Sequence, residues 1–88
     1  MKKENKEKKK TRPIHVIADE IRKDWSKQKS GVSPYAQPYL NAMMRLDSMS
    51  DHYGLDSADN IVRYFLGNAG TWRGDTARRI KAELKAML

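Results

Sequence analysis

Apolar residues recur at steps of three and four along most of this 88-residue chain, and no other feature constrains the fold as strongly. The first series runs from Ile14 to Trp25, and the last runs from Ala77 to Met87. Such steps place side chains on one face of an α-helix, whereas a half-buried β-strand needs a period of two, which no segment sustains. The spacing therefore predicts an all-α fold.

Glycine and proline divide the pattern into four predicted helices. Pro13 suits a first turn, Gly31 and Pro34 close the first helix, Gly54 ends the second and Gly70 ends the third. We predict a small compact bundle of four helices at about 13–29, 36–53, 57–69 and 72–87. Together they form a single helical domain over residues 13–88.

The net charge of +7 is concentrated at the start of the chain. Residues 1–12 hold seven Lys and Arg against two Glu, whereas residues 13–88 hold eleven basic and nine acidic side chains. The first segment has no apolar residue after Met1, so we predict that it is a disordered basic leader. Such a leader either only raises solubility or acts as an electrostatic arm for a polyanion.

Several functional classes lack the residues that they need. The chain has no cysteine, and its two histidines, His15 and His52, are far apart in sequence, which disfavours a zinc site. Glycine-rich phosphate loops and the G-x-S-x-G motif are absent. No apolar stretch approaches the roughly 18–20 residues of a membrane span. We expect a non-enzymatic cytoplasmic protein without a metal or cofactor and without a membrane partner.

The fourth predicted helix carries a basic stripe. Arg78, Lys81 and Lys85 project opposite its apolar face, so we expect all three to be exposed. Together with four leader residues, Lys8, Lys9, Lys10 and Arg12, they form a candidate phosphate-binding set for DNA or RNA. A helix–turn–helix reading fits imperfectly, because the stripe lacks the Asn, Gln and Ser side chains that commonly read base edges.

Two charged residues project into apolar sectors. Arg73 does so in the fourth predicted helix, and Asp24 does so in the first. Either the two form a structural ion pair across the bundle, or both reach solvent at frayed ends. Arg79 and Glu83 are spaced for a weak i,i+4 pair.

The alternative function is a protein-interaction module, either a homodimer or a regulator or inhibitor of a larger host or element protein. So small a body cannot easily bury every apolar band. We expect Tyr35, Tyr39, Met44 and Trp72 at an exposed edge, where they would form an interface with a protein partner or a second copy.

The segments "HVIADEIRKDWS", "PYLNAM", "DHYG", "IVRYFL" and "WRGDTARRIKAELKAML" together span most of residues 13–88. Their combination resembles short uncharacterised proteins of phages and other mobile elements of Gram-positive bacteria. The resemblance implies a cytoplasmic bacterial accessory protein. It implies no activity and no binding residues.

Overall fold

The computed structural model describes residues 11–88, which form four α-helices and one two-stranded sheet. The helices are α1 (Ile14–Trp25), α2 (Gln37–Met43), α3 (Ala58–Gly67) and α4 (Asp75–Met87). Two short antiparallel strands, β1 (His52–Tyr53) and β2 (Asp56–Ser57), lie between α2 and α3. The mostly helical prediction is confirmed, but a purely all-α fold is not, because of this hairpin. None of these helices is both long and apolar enough to cross a membrane.

The predicted second helix is wrong beyond residue 43. After α2 the chain turns, and the carbonyl oxygens of Leu46 and Asp47 accept hydrogen bonds from the backbone N–H groups of His15 and Ile14, both at 2.9 Å. These carbonyls satisfy the start of α1, which has no side-chain cap. The Asp51 carboxylate then accepts the backbone N–H groups of Asp47 and Ser48. Backbone capping and an Asp-centred turn thus replace the predicted helix.

The other helices are shorter than predicted at one or both ends. α1 ends at Trp25 rather than near residue 29. α3 begins after Ser57, whose hydroxyl accepts the backbone N–H of Asn60 at 3.4 Å. α4 begins at Asp75 rather than at residue 72, because Gly74 has a φ of 110°. A residue with a side chain rarely adopts that angle, so the glycine marks the point where a loop becomes a helix.

Three aromatic rings form the centre of the core. Trp25 of α1 stacks on Trp72 with ring centroids 5.8 Å apart, and Phe65 of α3 meets both rings edge-on. Ile17 and Ile80 are fully buried in the same core. Trp72 lies in the α3–α4 loop (residues 68–74), so this loop is held by the core rather than lying free on the surface.

Candidate nucleic-acid interface

The α3–α4 loop is fastened to α1 by side-chain hydrogen bonds. The indole Nε1 of Trp72 donates to the carboxylate of Asp24 at 2.9 Å. The side chain of Gln28 donates to the carbonyl oxygen of Arg73 at 2.6 Å. These contacts, with the burial of the Trp72 ring, fix the backbone of the loop. The Arg73 side chain is exposed and is therefore presented from a well-defined position.

Lys81 of α4 also binds the α3–α4 loop. Its Nζ donates to the carbonyl oxygens of Ala69 and Trp72, both at 2.8 Å, and lies 5.8 Å from the centroid of the Trp72 ring. The cation therefore combines two charge-assisted hydrogen bonds with a cation–π contact. The prediction that Lys81 is exposed is wrong, because the side chain is half-buried and serves the loop.

Lys81 lies near two other positively charged side chains, and its pKa reflects them. The pKa of Lys81 is lowered from its ordinary value, first by burial and then by the positive charges of Lys85 and Arg73. Lys81 is therefore repelled by both Lys85 and Arg73. Arg73 and Lys85 are exposed beside it. A bound anion would reduce this electrostatic repulsion.

We define the α4 basic surface as Arg73, Arg78 and Lys85. Arg78 is 75% exposed and pairs with Asp75, which is 95% exposed. An ion pair so exposed is weak and can open when a stronger anion approaches. The surface thus retains two residues of the predicted stripe, Arg78 and Lys85, and gains Arg73 in place of Lys81.

Arg12 is engaged within the fold, contrary to the interpretation of it as part of a free leader. Its guanidinium donates to Glu83 of α4 at 2.7 and 2.9 Å and to Glu20 of α1 at 2.9 Å. Arg79 also pairs with Glu20, so the predicted pair of Arg79 with Glu83 is replaced by a network that joins α1 to α4. This network raises the pKa of Arg12 and lowers that of Glu20. Lys8, Lys9 and Lys10 lie outside the described residues.

The hypothetical pair of Asp24 with Arg73 is not formed. Asp24 is half-buried and accepts a hydrogen bond from Trp72, while Arg73 points its side chain to solvent. The two residues are still linked, because Gln28 donates to the carboxylate of Asp24 at 3.4 Å and to the backbone of Arg73. The helical projection failed at Arg73 because this residue lies in the loop before α4, where a period of 3.6 does not apply.

The four residues predicted for a protein interface differ in exposure. Tyr35 is 76% exposed, as expected. Tyr39 is half-buried and packs on Tyr64, with ring centroids 5.5 Å apart. Met44 packs partly against the core. Trp72 is 1% exposed, so its assignment to an exposed edge is wrong.

The predicted interface set missed five exposed apolar residues, Val16, Tyr53, Leu55, Tyr64 and Leu88. Tyr53 and Leu55 were missed because both lay in or beside the predicted second helix. The signal that could have identified Tyr53 and Leu55 is the run "DHYGLDS", where glycine separates two short extended pairs. His15 lies 3.5 Å from Asp47. In residues 11–88 no three His, Asp or Glu side chains are grouped as metal ligands.

Comparison of the chain with protein-family models, with curated proteins and with solved structures found no match. The resemblance to proteins of phages and mobile elements stays a prediction.

Proposed function

We propose that this protein is a small non-enzymatic accessory protein that binds nucleic acid mainly through contacts to phosphates. The observation that carries the proposal is the exposure of Arg73, Arg78 and Lys85 on and beside α4, around the half-buried Lys81. Phosphate oxygens would bind the exposed cations Arg73 and Lys85 and would compete with Asp75 for Arg78. Arg78 extends the same surface along α4.

The binding mode follows from what α4 exposes. Its exposed positions are Asp75, Arg78, Arg79, Ala82, Lys85 and Ala86. Asn, Gln and Ser are absent from this set, and Asp75 at the first turn repels phosphates and base-edge acceptors. The α3–α4 loop spans residues 68–74, which is longer than the three- or four-residue turn of a helix–turn–helix. Binding should therefore depend little on base sequence.

The lysines of the leader would strengthen the same interaction. Residues 1–10 contain six lysines and two glutamates. They precede Arg12, which the ion-pair network attaches to α1 and α4. Their positive charge would add a long-range attraction for a polyanion.

Fluorescence anisotropy with mixed-sequence 20-base-pair duplexes and single-stranded oligonucleotides tests the proposal. We expect binding at low salt, similar affinity for unrelated duplex sequences, and a steep fall in affinity as salt rises. Absence of binding at about 20 mM salt would sink the proposal. Affinity that hardly changes with salt would also contradict it, since counterion release would then not drive binding.

A further inference from the structure

The outward face of α3 carries one aromatic ring among small and polar groups. We define the α3 stripe as its exposed residues, which are spaced i, i+3, i+4 and i+7 and so share one side of the helix: Asn60, Arg63, Tyr64 and Gly67. In α3, which lies wholly within the described residues, no Leu, Ile, Val or Met side chain is exposed. The stripe is therefore polar apart from its ring, unlike the apolar centre of a stable protein interface.

The ring of Tyr64 is held in place and yet half-exposed. It packs on Tyr39 of α2, with ring centroids 5.5 Å apart and an interplanar angle of 41°. The carbonyl oxygen of Tyr64 accepts a 2.8 Å hydrogen bond from the side chain of Asn68, which fixes the backbone at the end of α3. Tyr64 nevertheless stays 50% exposed. It thus offers an ordered aromatic surface, on which a planar ring can stack at a small entropic cost.

Gly67 leaves open space beside this ring. A Cβ atom at Gly67 would have no packing partner within 4 Å. A longer side chain there would lean towards Tyr64, because side chains on a helix point back onto the residues three and four positions earlier. The φ of Gly67 is not positive, so the backbone does not require glycine at this position. The glycine keeps the approach to the ring free.

The α3 stripe carries little net charge. Arg63 lies 3.9 Å from the carboxylate of Asp59, one turn earlier in the helix, so the two charges largely offset each other. The stripe therefore suits the uncharged part of a nucleotide, its base, better than the phosphate. Because Asp59 stands in the first turn of α3, it repels phosphates at that end. A strand bound at Tyr64 would continue towards the α3–α4 loop instead.

The stripe lies within reach of the α4 basic surface. α3 ends at Gly67, the carbonyl oxygen of Ala69 accepts the backbone N–H of Trp72 at 3.1 Å, and Arg73 follows. This turn keeps Arg73 within roughly 20 Å of Tyr64 by backbone geometry alone. Single-strand sites typically cover about 4–16 nucleotides, so one strand can span both residues.

We propose that the α3 stripe binds an unpaired nucleobase, which stacks on Tyr64 while phosphates of the same strand contact Arg73. The inference rests on the proposed function and narrows its ligand to single-stranded nucleic acid, since a duplex keeps its bases stacked on one another and away from Tyr64. Every base has a π-face, so stacking raises the affinity without adding a sequence preference. This agrees with the phosphate contacts of the α4 basic surface.

Fluorescence anisotropy with labelled strands of about 12 nucleotides tests the proposal. The probes are a mixed-sequence DNA strand, the RNA strand of the same sequence, and an abasic DNA strand that keeps the phosphates but has no bases. We expect the base-bearing DNA to bind at least about fivefold more tightly than the abasic strand, which is the contribution of one stacked base. The relative affinity of the RNA and DNA strands identifies which of the two is the ligand.

Substitutions locate the stacked base. Tyr64→Leu should abolish the advantage of the base-bearing strand and leave the salt dependence unchanged, whereas Tyr64→Phe should retain the advantage. Tyr53→Leu alters an exposed tyrosine of β1 and is the matched control. Gly67→Gln covers the ring without removing it and should reduce the advantage, whereas Gly67→Ala should not. Circular dichroism checks the fold, and the open position of Gly67 keeps its variants informative if Tyr64→Leu disturbs the contact with Tyr39.

Each failure has its own signature. Equal affinity for the base-bearing and abasic strands would overturn this inference and leave phosphate binding intact, whereas no binding to any strand at low salt would overturn both proposals. An advantage that survives both Tyr64→Leu and Gly67→Gln would overturn it by moving the base contact away from the α3 stripe. Self-association in sedimentation equilibrium that Tyr64→Leu abolishes, without any base-dependent affinity, would assign the stripe to a second copy of the chain.

Discussion

The indole N–H of Trp72 donates a 2.9 Å hydrogen bond to the carboxylate of Asp24 and thereby fastens the α3–α4 loop to α1. Trp25 stacks on the same ring, but its own buried Nε1 has no hydrogen-bond partner among the described residues. Two stacked tryptophans therefore differ in one polar contact. That difference allows the hydrogen bond to be measured apart from the packing.

We expect Trp72→Phe to lower the free energy of unfolding by about 1.5–3 kcal/mol more than Trp25→Phe does, because a hydrogen bond to a charged group contributes about that much. Both changes replace an indole with a smaller ring, so the packing losses partly cancel. Urea unfolding measures the difference. A double-mutant cycle of Trp72→Phe with Asp24→Ala should show a coupling energy, and additive losses would argue against the contact.

Lys81 should stabilise the fold, whereas Lys85 should not. Lys81→Ala leaves the carbonyl oxygens of Ala69 and Trp72 without their donor, and we expect it to cost about 1–3 kcal/mol. Lys85→Ala removes an exposed charge and should change stability by less than about 0.5 kcal/mol. Thermal and urea unfolding of the two variants provide the comparison. Equal stability of both would show that Lys81 does not hold the loop.

The α1–α4 network predicts a pH dependence. Hydrogen bonds from Arg79 and then from Arg12 hold the pKa of Glu20 below its ordinary value of 4.5. A carboxylate with a lowered folded-state pKa stabilises the fold fully above pH 4.5, and the contribution disappears as the pH falls through the lowered value. The Glu20 side chain is 34% exposed, so solvent screening limits the effect to about 1 kcal/mol.

Glu20→Gln isolates this contribution. We expect the variant to be about 1 kcal/mol less stable than the unchanged protein at pH 7, with a difference that shrinks as the pH falls below 4.5 through the lowered pKa of Glu20. Urea unfolding at several pH values gives the two curves. A difference that stays constant across this range would mean that the lost stability comes from packing rather than from ionisation.

Helical spacing located α1, α3 and α4 because each buries a stripe that is visible in one segment alone. Ile14, Ile17 and Ile21 are fully buried, as are Ile80 and Leu84. Residues 44–53 departed from the predicted second helix because their conformation depends on distant partners. The carbonyl oxygens of Leu46 and Asp47 satisfy the N–H groups of α1, a contact that no local pattern reveals.

Contacts with distant residues also determine which basic residues are structural and which are exposed. Lys81 looks like any exposed lysine on a helical projection, and only the loop folded over α4 supplies the two carbonyl oxygens that bind it. Arg12 looks like the end of a basic leader, but Glu20 and Glu83 converge on it from two helices. Sequence reasoning identified the helix that carries the basic surface. It could not divide the basic residues between structural and exposed roles.

The salt dependence of nucleic-acid binding by two double variants tests the central claim most directly. Arg73→Ala with Lys85→Ala removes two cations of the α4 basic surface. Arg45→Ala with Arg63→Ala removes the same charge from exposed positions on other parts of the chain. The plot of log affinity against log salt should lose about two units of slope in the first variant and change little in the second. Equal slopes for the two variants would contradict the assignment of phosphate binding to this surface.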